Sequence, residues 1–134
     1  QSGGRGQGSI WALILSSSLT VFSYSRCSTC RKALAWLEAE GLAFRVVDIT
    51  VQPPSRELLQ SAVDQFGDRK SLFNTSGQSY RALGAAKVKS MSDEEALDAL
   101  AADGRLIKRP FVLRDNGQVL VGFKADVWAQ QLKG

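Results

Sequence analysis

Leu19 to Tyr24 (LTVFSY) is a run of β-branched and aromatic positions that predicts a strand. Past Ser25 and Arg26 the apolar spacing lengthens: Cys30, Leu34 and Leu37 fall at i, i+4 and i+7. That spacing predicts an amphipathic helix from Cys27 to Glu40, stopped by Gly41. Ala43 to Ile49 (AFRVVDI) reads as a second strand. Strand, helix and strand with short joints form a parallel, right-handed βαβ unit. Pro53 and Pro54 then break the chain, and Ser55 to Phe66 predicts a helix ended by Gly67. Asp68 to Ala86 shows no periodicity and reads as irregular, with a turn at Asn74–Gly77. Ser92-Asp93-Glu94-Glu95 is a capping box whose helix turns Ala96, Leu97, Leu100 and Ala101 inward and closes at Asp103-Gly104. Ile107 to Leu113 and Val119 to Val121 flank Asp115-Asn116-Gly117, a hairpin signal. A last helix runs from Ala125 to Leu132.

The order is βαβ, a helical insert, then ββα, without a repeat or linker. It predicts one α/β domain over residues 19–134: a mixed four-stranded sheet covered by helices. A chain of 134 residues suits one core. Residues 1–18 read as a leader, in part flexible or extraneous to the natural protein. Within it Ile10 to Leu15 is too short for a signal core or a membrane helix and is expected to form an extra strand or lie against the domain. The expected compartment is the cytoplasm, with no membrane association. The net charge of +4 contains no run of like charges and no basic stripe interleaved with aromatics, so direct DNA binding is not expected.

Composition changes the picture at one point. The chain has 2 cysteines and no histidine. Histidine-based acid–base catalysis, Ser-His-Asp triads and histidine metal ligands are therefore excluded together. Two cysteines are too few for a disulfide scaffold. Their spacing, Cys27-Ser28-Thr29-Cys30, at a strand-to-helix junction points to redox chemistry. A zinc site would need two further ligands supplied by another protomer. Inert buried thiols are the other alternative. A helix N-terminus presents unpaired N–H groups and a partial positive charge, which favour a thiolate, and Arg26, Arg31 and Lys32 add charge to the same turn. Cys30 begins the apolar stripe and Cys27 precedes it at the open end of the helix. Cys27 is thus the expected nucleophile and Cys30 the sheltered resolving thiol.

Phe22 to Glu38 (FSYSRCSTCRKALAWLE) resembles the arsenate reductase family of glutaredoxin-like proteins, which includes ArsC, Spx and YffB. Gln52 to Ser55, Leu72 to Arg81 (LFNTSGQSYR), Leu106 to Pro110 (LIKRP) and Val121 to Lys124 (VGFK) continue the resemblance in the same order, through about residue 133. It implies a thioredoxin-like fold with a helical insert. It also implies that Cys27 is the family's nucleophile and that Cys30 is the second cysteine of its Spx-like and uncharacterised branches. Arg31 completes a Cys-x-x-x-Arg pattern, and Arg109 precedes a proline, Pro110, whose peptide bond is expected to be cis. Read without the resemblance, Lys108 and Arg109 are a solvated edge. The sequence departs from arsenate reductases in having Ser23 where they carry a histidine. It also retains only Arg109 of their three oxyanion arginines, with Arg69 and Lys124 as partial substitutes.

The expectation is a thiol–disulfide oxidoreductase acting on a small thiol or an oxyanion, with Arg31, Arg109, Pro110 and Lys124 around the substrate. No bound cofactor or metal is expected, and glutathione or a thioredoxin or glutaredoxin system would be the reductant. The alternatives are an Spx-like redox regulator binding the RNA polymerase α subunit and a glutathione- and glutaredoxin-linked arsenate reductase. Trp36 reads as core packing.

Overall fold

A computed structural model describes residues 19–133. Strand β1 (Leu19–Ser23) leads into helix α1 (Ser28–Ala39) and strand β2 (Phe44–Asp48). Helix α2 (Arg56–Phe66), two short helices α3 (Gln78–Leu83) and α4 (Ala85–Ser90), and helix α5 (Asp93–Ala102) follow. The chain closes with strands β3 (Phe111–Arg114) and β4 (Val119–Val121) and helix α6 (Ala125–Leu132). The sheet order is β2-β1-β3-β4. β1 runs parallel to β2 and antiparallel to β3, and β3 pairs antiparallel with β4. This is the mixed four-stranded, thioredoxin-like arrangement with a helical insert expected from the sequence.

The period-2 alternation of the strands divides the core into two layers. Phe22, Phe111 and Val119 face one side, where α2 and α5 pack through Leu59, Ala62, Ala96, Leu97 and Leu100. Val21, Val112 and Leu120 face the other, against Ala33 and Leu37 of α1 and Trp128 of α6. Phe22 and Phe111 are register partners whose rings meet edge to face at 5.7 Å. Across the first layer Arg56 of α2 donates to Glu94 and Asp98 of α5. Trp36 packs edge to face on Trp128, as expected of a core residue. Ala101 is only half-buried, unlike the other three residues predicted to point inward.

Two expectations are corrected. Residues 68–86 are not irregular: Lys70–Leu72 forms a 3-10 turn, and α3 and the start of α4 follow, separated by Gly84. Each helix has six residues, too few for a helical period to show in the sequence. Nor does the strand predicted from Ile107 begin there. Ile107 makes an isolated antiparallel bridge to Phe73, and β3 starts after Pro110, which has no N–H to give a ladder. The Arg109–Pro110 peptide is cis, as the resemblance implied. The leader and Ile10–Leu15 lie outside the described residues. Among the described residues no helix is long and apolar enough to cross a membrane.

Candidate functional site

β1 delivers the chain to a turn at Tyr24–Cys27, in which the Cys27 N–H donates to the Tyr24 carbonyl at 3.0 Å. Cys27 is the N-cap of α1, in extended conformation (φ −95°, ψ 114°). Its Sγ stands where a serine or aspartate oxygen would cap the helix and accepts the Cys30 backbone N–H at 3.3 Å. Partial burial pushes the Cys27 thiol up. The Cys30 N–H, the Cys30 thiol and the Arg109 guanidinium outweigh that, and the net effect holds it below the ordinary thiol value. Cys30 is wholly buried at the head of the apolar face of α1. Burial pushes its pKa up to about 11, and charge on Cys27 works in the same direction. The two sulfurs are free thiols, and their environments drive them apart.

Arg109 reaches Cys27 from the opposite side. Its guanidinium lies over the Tyr24 ring, 5.2 Å from the centroid. Its buried Nε has no hydrogen-bond partner among the described residues, so it is a donor held in reserve for a thiolate or a ligand. The loop carrying Arg109 is fixed by backbone hydrogen bonds: Lys108 N–H to the Leu72 carbonyl and Asn74 N–H to the Leu106 carbonyl, each at 2.7 Å. The same bonds bring Asn74–Gly77 to the rim. Gly122 N–H donates to the Pro110 carbonyl at 3.0 Å and sets the end of β4 against this loop. Together these elements enclose an open cleft of about 730 Å³ with Cys27 in its wall.

Lys108, Arg109 and Lys124 line the cleft with no carboxylate among its lining residues. Phe66, Val121, Phe123 and Val127 are its apolar lining residues with exposed surface, and Leu120 and Trp128 are buried among them. Of the residues singled out from sequence, the cleft thus unites Cys27, Arg109 and Lys124. Cys30 lies beneath it, and Pro110 is buried behind Arg109. Arg31 does not line the cleft, because its Nη1 donates to the Ser25 carbonyl at 2.8 Å. Arg69, a candidate substitute for a lost oxyanion arginine, is also elsewhere. Its guanidinium donates to the carbonyls of Val88 (3.0 Å) and Met91 (2.6 Å) and to Asp93 (3.0 Å). Sequence reasoning missed Lys108, Asn74 and the apolar pair Phe123 and Val127. The one signal available for Lys108 was its adjacency to Arg109. Among the described residues no cluster of metal-ligating side chains occurs.

A thioredoxin-like sheet with a Cys-x-x-Cys pair at the head of its first helix, facing a cis-proline loop, defines the class of thioredoxin-like thiol proteins. Within it, residues 22–131 match the ArsC family, and the chain belongs to that family. It is 48% identical over 111 residues to the uncharacterized protein YusI of Bacillus subtilis (strain 168), covering 81% of this chain and 93% of that protein. It is 41% identical to a possible arsenate reductase from Streptococcus mutans UA159, whose crystal structure superposes with a TM-score of 0.74 over 79% of this chain and 91% of that one. It is also 28% identical over 109 residues to the global transcriptional regulator Spx of Streptococcus agalactiae serotype V, covering 81% of this chain and 78% of that protein.

Proposed function

We propose that this protein is a thiol–disulfide oxidoreductase in which Cys27 is the nucleophile and Cys30 the resolving thiol. The observation that carries this reading is the asymmetry of the pair. Cys27 opens into the cleft with its thiol held low, and Cys30 is buried behind it with its thiol pushed up to about 11. The Cys27 thiolate attacks one sulfur of a substrate disulfide, and a Cys27 mixed disulfide forms as the other half leaves as a thiolate. Charge on Cys27 helps to keep Cys30 protonated. Formation of the mixed disulfide removes that charge, one of the influences that hold the Cys30 proton, while burial remains the larger one. Cys30 then attacks Cys27 Sγ, the substrate's second half takes up the Cys30 proton and leaves as a thiol, and a Cys27–Cys30 disulfide closes. Two electrons from glutathione or from a thioredoxin or glutaredoxin dithiol restore both thiols.

Intact masses after incubation with oxidised glutathione test this. The wild type should close an internal disulfide, Cys30→Ser should trap one glutathione on Cys27, and Cys27→Ser should remain unmodified. A chain in which neither cysteine reacts would overturn the reading. Similarity to Spx over most of the chain favours a second one, a redox-sensing regulator that contacts RNA polymerase. Capture of the C-terminal domain of the polymerase α subunit by the reduced but not the oxidised protein, or the reverse, would select it. Turnover of arsenate with glutathione and glutaredoxin, or with thioredoxin, would instead place the chain among the reductases of that oxyanion.

A further inference from the structure

The sequence places positive charge at the turn itself, on Arg26, Arg31 and Lys32, but none of these lines the cleft. The charge that faces a ligand comes from Lys108, Arg109 and Lys124. Among the described residues, none of the three is in an ion pair. Lys108 lies against Gly122 at the end of β4: a Cβ there would stand 3.2 Å from Lys108 Cε, a contact the flexible lysine would relieve by a small shift. Beside these cations, Phe123 is half-buried and Val127 is 41% exposed, and Phe123 is backed edge to face at 4.8 Å by the buried Trp128. The volume, about 730 Å³, is that of a pocket for an organic ligand, typically about 300–1,000 Å³, and far exceeds what a single tetrahedral oxyanion fills.

We propose that the cleft selects organic disulfides bearing an acidic group beside an apolar portion. Lys108 and Lys124 hold the acidic group, Phe123 and Val127 take the apolar portion, and Arg109 is left to the reacting sulfurs. This rests on the thiol–disulfide reading above and names the substrate class for it. The covalent step is the one already given: Cys27 gains a bond to one substrate sulfur and the other half departs as a thiolate.

Two chromogenic aryl disulfides separate the terms, the dianionic dithiobis(nitrobenzoate) and the neutral dithiodipyridine, each rate being normalised to its rate with a free thiol. The expected result is a clear preference for the anionic reagent that falls as salt is raised, and a neutral rate insensitive to salt. In Lys108→Met the anionic-to-neutral ratio should drop roughly tenfold, the loss of one charge-assisted contact, and Lys108→Arg should restore it. Equal normalised rates for both reagents, or a ratio unmoved in Lys108→Met, would overturn the charge selection while leaving the thiol chemistry intact. Failure of both reagents to modify Cys27 would overturn the thiol reading and this inference with it.

Discussion

At the scale of the residue, the site is two identical side chains made unlike by their surroundings. A cysteine that caps a helix and faces Arg109 is expected to react at a pH where the same side chain one turn later, sealed against the sheet, does not. Alkylation by iodoacetamide, read site by site by peptide mass, should show this directly. Cys27 should react in step with its thiolate fraction, rising with pH through a midpoint below the ordinary thiol value. Cys30 should stay unmodified until the pH approaches about 11. Replacing Arg109 by methionine removes a charge that favours the thiolate, so the Cys27 profile should move to higher pH. A profile unchanged in that variant would show that the helix terminus alone does the work. The cysteine pair was legible in the sequence because its chemistry depends on neighbours close along the chain: a strand before it and a helix that begins on it. Lys108 was not, because its backbone is held by the Leu72 carbonyl and its side chain lies against Gly122, neighbours that only the fold brings beside it.

At the scale of the element, local signals carried most of the reading. Ser92 accepts the Glu95 N–H while Glu95 accepts the Ser92 N–H, the full capping box that the sequence spells out. Ser92→Ala should cost about 1 kcal/mol in urea unfolding. The Glu95 carboxyl is held below the usual carboxylate range by the hydrogen bond it accepts from the Ser92 backbone. Its contribution is complete above that range and is lost as pH falls through the lowered value, so Glu95→Gln should flatten the acid limb of the stability curve. The insert was less legible. Helices of six residues are held by tertiary contacts rather than by periodicity, and Arg69 supplies several of these by taking the carbonyls at the end of α4. Arg69→Met should therefore destabilise the fold by about 2 kcal/mol, since the hydrogen bonds lost are charge-assisted. The Cys27 alkylation profile should not move. A shifted profile with unchanged stability would instead make Arg69 the partial substitute for the family's first oxyanion arginine.

At the scale of the whole molecule, the problem is how the βαβ half and the ββα half become one sheet with the cleft at their seam. β1 supplies the answer by pairing in parallel with β2 on one side and antiparallel with β3 on the other. Hydrophobic pattern predicted the four strands but could not order them, since period-2 alternation says which face a residue takes and nothing about its neighbour. Short joints and the Asp115–Gly117 turn paired β1 with β2 and β3 with β4, and the β1–β3 pairing that joins the halves is seen only in the fold. A second seam was invisible to pattern. Gly104, in the 3-10 turn after α5, lies so close to the Ile49 backbone that a Cβ would stand 1.9 Å from the Ile49 carbonyl oxygen and 2.7 Å from its carbon. Ile49 is itself buried where β2 gives way to the loop before α2. A methyl group at Gly104 has backbone on the other side, with no flexible side chain to yield, so the insert must lift from the sheet. Gly104→Ala should cost about 3 kcal/mol, the upper end for overpacking a well-filled core. Gly117→Ala is the control. It imposes a positive φ of 91° on alanine in the β3–β4 turn but meets nothing within 4 Å, so it carries only the backbone penalty of about 1 kcal/mol. Urea unfolding of both should show the larger loss at Gly104. Equal losses would mean that the close approach to Ile49 relaxes freely, and that the insert is not anchored to the sheet at this point.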